Sequence, residues 1–200
     1  PILILLLCNT VNRYMLREFS PDTPEGSFSR DLNTSKLWLC RALHKLDLVS
    51  FDSIYILGSW YGAMSLWLLH THIHCDHMYC IDWDREKTQY VDHAMKRAHL
   101  SHKIHAVRAD ANQIAYEGNR ILVINTSTND MDSQEWLDNI PPGSVVVLQG
   151  RDNQALSNGV ETLEKFDRMY PLTETLLVDS IVLEGVEGDL YTRFMKIGLV

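Results

Sequence analysis

A chain of 200 residues with 46% hydrophobic content holds enough apolar material for one domain with a sizeable core, but it is too short for a nucleotide-binding domain plus a separate catalytic domain. Its formal charge of −8 excludes the field that would hold nucleic acid non-specifically and favours a small-molecule or protein substrate, with RNA left open. The four cysteines (Cys8, Cys40, Cys75, Cys80) form no CxxC pair and lie mostly in apolar runs, which excludes a sequence-readable zinc or disulfide framework and suits a reducing cytoplasm.

The first apolar block, residues 1–8 (PILILLLC), lacks a basic leader and a small-residue cleavage site and is far shorter than a membrane span. It reads as a buried strand or helix turn, and no membrane association is expected. Residues 20–35 are rich in Pro, Ser, Thr, Asp and Gly and read as an irregular connection, dividing the chain into an N-terminal arm and linker (1–32) and a main domain (33–200). Asn33 or Thr34 is placed to cap an amphipathic helix running through Asp47, on the helical spacing of Leu37, Leu39, Cys40, Leu43 and Leu46.

Beyond it the pattern alternates. Strands are expected at 53–58, 77–82, 104–108, 120–125 and 144–149, and helices at 61–70, 85–99, 133–139 and 154–169. Short apolar strands interleaved with helices call for an α/β fold, a doubly wound and mostly parallel sheet with helices on both faces. The last thirty residues break the rhythm. Residues 176–183 and 191–199 read as strands separated by Glu184-Gly185-Val186-Glu187-Gly188-Asp189, too short for a parallel crossover, so one strand must run backwards.

Within that frame, Ile54 to Leu57 break at Gly58-Ser59-Trp60-Tyr61-Gly62, and the next apolar run, Met78 to Ile81, ends on Asp82. A strand that stops at a glycine lets a ligand approach the backbone, and an acid about 20 residues on can accept ribose hydroxyls. Trp83 offers an apolar face for a purine ring, or is a half-exposed loop residue. Asp110, past the third strand, can accept from an adenine amino group while Ala111 donates its backbone N–H, or it is a turn or cap aspartate.

Taken together, ILGSWYG at 56–62, YCIDWD at 79–84, RADA at 108–111, INTS at 124–127, PPGSVVVLQ at 141–149 and the closing hairpin resemble the class I, Rossmann-like S-adenosylmethionine-dependent methyltransferases over about residues 33–200. A narrower resemblance is to small methyltransferase-like proteins encoded by tailed phages. The resemblance implies a seven-stranded sheet of order 3-2-1-4-5-7-6 with strand 7 antiparallel, S-adenosylmethionine as cofactor and methyl transfer to a nucleophile as activity. It places the glycine loop on Gly58, Ser59, Trp60, Tyr61 and Gly62, the ribose-binding acid on Asp82 with Trp83 beside it, and the adenine contacts on Asp110 and Ala111. Two positions depart from the family pattern. Ile56 and Leu57 stand where an acid usually precedes the loop, and Trp60 replaces the middle glycine. The methionyl amino group is then left to Asn125 or to residues 33–36.

Methyl transfer needs alignment and a desolvated pocket more than acid–base machinery. The resemblance puts Asn125 where a target amine is held in amino methyltransferases of this fold. Asp130 or Asp132 is the candidate proton acceptor, with the alternative that residues 125–130 only turn the chain and that Asp132 or Ser133 caps the next helix. Gln149, Arg151, Asp152 and Asn153 border the same edge. The crowd of His70, His72, His74, Cys75 and His77 is zinc-competent in type but reads as a histidine-rich helix end, and Lys96, Arg97, His99, His102 and Lys103 as a solvated basic one; no metal is expected. Two competing functions remain. One is an NAD-binding oxidoreductase, which Gly58, Ala63 and Asp82 partly fit; the other is a non-catalytic nucleoside-binding or interaction protein.

Overall fold

The computed structural model describes residues 28–152 and 160–200; the block 1–8 and the start of the helix expected from residue 154 lie outside them. In chain order the elements are α1 (Arg30–Lys45), β1 (Ser50–Leu57), α2 (Ala63–His70), β2 (His74–Asp82), α3 (Arg85–Arg97), β3 (Ile104–Arg108), β4 (Ile121–Asn125), α4 (Glu135–Asp138), β5 (Val145–Arg151), α5 (Leu163–Met169), β6 (Glu174–Glu184) and β7 (Leu190–Leu199).

The strands form one sheet in the order β3-β2-β1-β4-β5-β7-β6. The first five in that order are parallel, and β7 is antiparallel to both β5 and β6. The reversal follows from the hairpin, whose turn is closed by Gly185 N donating to the Asp189 carbonyl at 2.8 Å. Central strands are apolar at consecutive positions because both sheet faces are covered. On β1, Ile54 and Ile56 enter one core cluster while Tyr55 and Leu57 enter the other. The first cluster packs α1, α2 and α3 onto the sheet through Leu39, Leu43, Trp67, Val91 and Met95; the second is closed by Trp136, Leu137, Phe166 and Tyr170. Each such large side chain, fully buried, contributes roughly 1.5–3 kcal/mol.

Helix α1 begins at Arg30, so residues 30–35 are helical and not linker, and the cap position is Ser29, with Asn33 and Thr34 inside the helix. The reason is that this turn buries polar groups. The Asn33 amide donates to the Phe28 carbonyl (2.7 Å) and accepts from the Trp67 indole (2.9 Å), and the Ser35 hydroxyl donates to the Gln149 side chain (3.0 Å). Apolar spacing cannot reveal a helical turn whose inner face is hydrogen-bonded. These bonds pin α1 against α2 and the end of β5.

Other boundaries also move. Helix α4 is a single turn preceded by Gln134, without a side-chain cap from Asp132 or Ser133. Helix α3 is capped by Asp84, which accepts from the backbone of Glu86 (2.8 Å) and Lys87 (3.4 Å). The histidine run is split among three elements: His70 ends α2, His72 lies in the turn at φ 58°, and His74 and His77 are on β2. Among the described residues no three His, Cys, Asp or Glu side chains are grouped to hold a metal ion, and no helix is long and apolar enough to cross a membrane.

Candidate functional site

The parallel strands β1, β2 and β4 all end at one edge of the sheet, and the loops that follow them enclose a cleft made of two adjoining cavities of about 690 and 620 Å³. Gly58, Asp82, Trp83, Asp130 and Met131 line both, so they form the shared wall. The first cavity runs from there to Asp110, Ala111 and Trp136; the second runs to Asp31 and Lys36 of α1, Arg151 of β5, and Tyr191 and Arg193 of β7.

The loop after β1 is wound tightly by left-handed backbone at Gly58 (φ 59°), Trp60 (φ 54°) and Gly62 (φ 76°). A left-handed tryptophan costs roughly 1–2 kcal/mol. Asp82 supplies the compensating contact: its Oδ2 accepts from the Trp60 backbone N–H at 2.9 Å, while Oδ1 accepts from Asp84 N at 3.0 Å. Ser59 N donates to the Ile81 carbonyl at 2.9 Å, tying the loop to the tip of β2. At Gly58 a side chain is disfavoured for a second reason. A Cβ there would stand 3.1 Å from Ser127 Cβ and 3.4 Å from Met131 Cε, closing the gap between the loops after β1 and β4.

Asp82 is 5% exposed and faces both cavities. An ionised carboxylate has about four acceptor positions, and two are taken by amides, which leaves two for hydroxyl donors from a ligand. Trp83 stands beside it, 76% exposed. Asp110 spends Oδ1 on the backbone of Asn112 (2.9 Å) as the cap of the short 3-10 turn Ala111–Gln113, so it caps and lines the cavity at once.

Two residues expected at the ligand stand behind it. Gly62 lines neither cavity; its missing side chain makes room for Val91 of α3, whose methyls lie 3.2 and 3.3 Å from where a Cβ would be. Asn125 is 0% exposed, and its Oδ1 accepts from Ser127 N at 2.9 Å. Asn125 lines neither cavity and shapes the loop from beneath through Oδ1, while its Nδ2 is buried without a partner among the described residues. The loop is further fixed by Thr128, whose hydroxyl donates to the Gln149 carbonyl (2.9 Å), and by Asn129, whose Oδ1 accepts from Arg151 N (2.8 Å). Its exposed member is Asp130, on the shared wall. Gln149 itself is 0% exposed and serves as the socket for α1.

The far end of the cleft was missed in the sequence except for Arg151 and Lys36, the last of the residues 33–36 named for the methionyl amino group. The Tyr191 hydroxyl donates to Asp31 Oδ2 at 2.7 Å, and the Arg151 guanidinium lies 4.6 Å from the Tyr191 ring centroid. Arg193 donates to the Thr126 carbonyl, and the Lys36 ammonium to the Leu32 carbonyl at 3.3 Å. Burial acts to raise the Asp31 pKa, but hydrogen bonds from Ser29, Tyr191 and the backbone outweigh it and hold the carboxyl below its ordinary value. Burial, reinforced by the charge of Arg193, pulls the Lys36 ammonium down to about 7. Asp31 Oδ1, Ser59 Oγ, and the Nε atoms of Arg151 and Arg193 are buried without a partner among the described residues. Such atoms are what a polar ligand would satisfy.

Searches with solved structures find this architecture repeatedly. A candidate RNA methyltransferase from Pyrococcus horikoshii superposes with a TM-score of 0.64 at 12% identity, over 97% of this chain and 97% of that one. The O-methyltransferase from Bacillus cereus, solved in complex with SAH, gives 0.56 at 14% identity over 94% and 97%. TomG, an O-methyltransferase from Streptomyces achromogenes solved in complex with SAM, gives 0.55 at 19% identity over 96% and 90%. The fold is that of the class I methyltransferases. No protein-family model and no curated protein sequence matches the chain. At these identities the likeness establishes the methyltransferase fold alone, and the chemistry rests on the cleft.

Proposed function

We propose that the chain is an S-adenosylmethionine-dependent methyltransferase acting on a nucleophilic acceptor. The observation that carries this is Asp82: a buried carboxylate at the tip of β2, with two acceptor positions left over, beside the glycine gap at Gly58 and on the wall common to both cavities. That is an acceptor pair matched to the two hydroxyls of a ribose.

In this reading the adenine lies in the first cavity against Trp83, near Asp110 and the Ala111 amide, and the amino-acid arm enters the second. There the free Oδ1 of Asp31 would receive an ammonium group, and Ser59 and Lys36 would hold the carboxylate. Bound S-adenosylmethionine would supply a methyl group on a sulfonium whose departure leaves a neutral thioether. The protein's share is then to align the acceptor and dispose of its proton. Asp130 is the group for the second task, exposed on the shared wall and held by its N–H to the Ser127 carbonyl at 2.9 Å. An NAD reading is not favoured, because the Trp60 indole, 40% exposed, stands on the loop that a pyrophosphate would have to approach closely.

Calorimetric titration with S-adenosylhomocysteine and with NAD tests the reading. Saturable 1:1 binding of the first and none of the second is expected, followed by incorporation of labelled methyl groups into a cell extract. Binding of NAD alone would reverse the assignment; binding of S-adenosylhomocysteine with no labelled product from any extract would leave a nucleoside-binding protein without turnover.

A further inference from the structure

Two guanidinium groups sit side by side at the far end of the cleft, on the paired positions Arg151 and Arg193, and among the described residues neither forms an ion pair. Arg193, 8% exposed, and Arg151 both line the second cavity, and the Nε of each is buried with no partner among the described residues. Asp130 and Asp31 act on Arg193 through space, and Asp31 Oδ2 accepts from the Tyr191 hydroxyl. A buried donor left unsatisfied is unfavourable, so the two orphaned Nε–H groups are positions that an anionic acceptor would fill.

The geometry is fixed as well as charged. Tyr191 is held by Asp31 and presents its ring to Arg151, while Arg193 is tethered through Nη2 to the Thr126 carbonyl, in the loop that follows β4. Planar forks of this kind bind carboxylates two bonds at a time. Asp31, Asp82, Asp130, Glu187 and Asp189 line the same cavity, a field that tolerates one negative charge better than the two of a phosphate. Position separates this subsite from the nucleoside end. With strands spaced about 4.8 Å apart, β5 and β7 lie roughly 14 and 19 Å across the sheet from β2, which ends on Asp82. The cofactor's methyl must therefore be delivered between them, over β4.

We propose that Arg151 and Arg193 bind a carboxylate of the methyl acceptor, so that the acceptor is a small carboxylic acid carrying the nucleophile. The proposal rests on the methyltransferase reading, because only that reading makes this end of the cleft the acceptor's. Exposed Val186 on the hairpin and Trp60 on the opposite lip supply apolar contact for its carbon skeleton.

The test uses the full chain loaded with S-adenosylhomocysteine and titrated calorimetrically with benzoate, benzamide or inorganic phosphate at matched ionic strength. Benzoate is expected to bind saturably and benzamide not to bind, with Arg151→Gln weakening benzoate by about tenfold and leaving S-adenosylhomocysteine affinity within about twofold. Arg151 is only half-buried, so this variant is expected to fold, and its melting temperature verifies that. Equal response to benzoate and benzamide, or phosphate binding more tightly than benzoate, would overturn the proposal. So would Arg151→Gln weakening S-adenosylhomocysteine with benzoate unaffected, since the pair would then hold the cofactor's own carboxylate. If S-adenosylhomocysteine fails to bind at all, the methyltransferase reading falls, while benzoate titrated into the unloaded chain still reads whether the arginines form a carboxylate site.

Discussion

At the nucleoside end of the cleft the polar contacts run through main chain and one short carboxylate, whereas at the far end, which in the proposed reading takes the cofactor's amino-acid arm and the acceptor, they run through long cations and a tyrosine drawn from α1, β5 and β7. Ser59 N, Trp60 N and Asp84 N are all spoken for, and Asp82 is anchored by two of them. Across the cleft, Asp31, Arg151 and Arg193 each keep a buried polar atom without a partner. The contrast is one of charge. At the first end the orphans among the described residues are neutral, the Ser59 hydroxyl and the Trp136 indole N–H; at the second they are two guanidinium nitrogens and a carboxylate oxygen, which call for a charged ligand.

The comparison breaks most visibly at Asp82. Replacing it with Ala removes the ribose acceptors and also frees the left-handed turn at Trp60, so S-adenosylhomocysteine affinity should fall about 100-fold, or about 2.7 kcal/mol. Isothermal titration measures it, and a change below about threefold would disqualify Asp82 as the ribose contact. No variant at the far end should match this effect on the cofactor.

Gly58→Ala sharpens the same point, because two penalties can be separated by a control. Gly143 also has a positive φ (84°) but has nothing within 4 Å of its absent side chain, whereas a Cβ at Gly58 meets the Ser127 side chain and Met131. Both substitutions should lose about 1–2 kcal/mol of stability through left-handed backbone. Only Gly58→Ala should also weaken S-adenosylhomocysteine, by about tenfold. Equal binding by both variants would mean that the gap is not part of the ligand path.

The same asymmetry decides what could be read in the sequence. The nucleoside end comes from two strand ends spaced as consecutive units, so Gly58 and Asp82 stand in a local pattern, and the hairpin length forced the reversed strand. The far end joins residues 31 and 36 of α1 with 151, 191 and 193 of the sheet, which meet only through the tertiary fold; nothing local distinguishes Tyr191 or Arg193 from any strand residue. Helix α1 hid its first turn because Asn33 and Ser35 point inward to partners far along the chain. Asn125 shows the same limit. Its type and place at a strand end mark it as a candidate, but that it lies buried beneath the loop with Oδ1 on Ser127 N is decided by the register of the strand.

Asn125→Ala accordingly acts on the frame between the two ends. Loss of the bond to Ser127 N, partly offset by removing the unpartnered Nδ2, should cost about 1 kcal/mol of stability. Urea unfolding measures that loss. S-adenosylhomocysteine affinity should change less than it does in Gly58→Ala, and a loss of affinity as large as that of Asp82→Ala would return Asn125 to the ligand.

The smallest effect belongs to Lys36 and appears only against pH. Its pKa is about 7 in the folded chain against 10.5 for the ordinary side chain, because burial and Arg193 disfavour the charged form; Asp31 and Cys40 on its own helix act the other way. Between those values the unfolded chain holds a proton that the native state has given up, so native stability gains from this group as pH rises from about 7 toward 10.5. Below that window the penalty is present in full. Cys40 and Cys80, pushed up to about 12 by burial, work in the opposite sense above pH 9, so total stability is a poor readout. Lys36→Met isolates the term. Its stability advantage over the native chain should be largest at pH 6 and shrink steadily through pH 9 in paired urea titrations. A pH-independent difference would mean that Lys36 is solvated, and that the cations at this end are less starved of a counter-charge than those of Arg151 and Arg193 indicate.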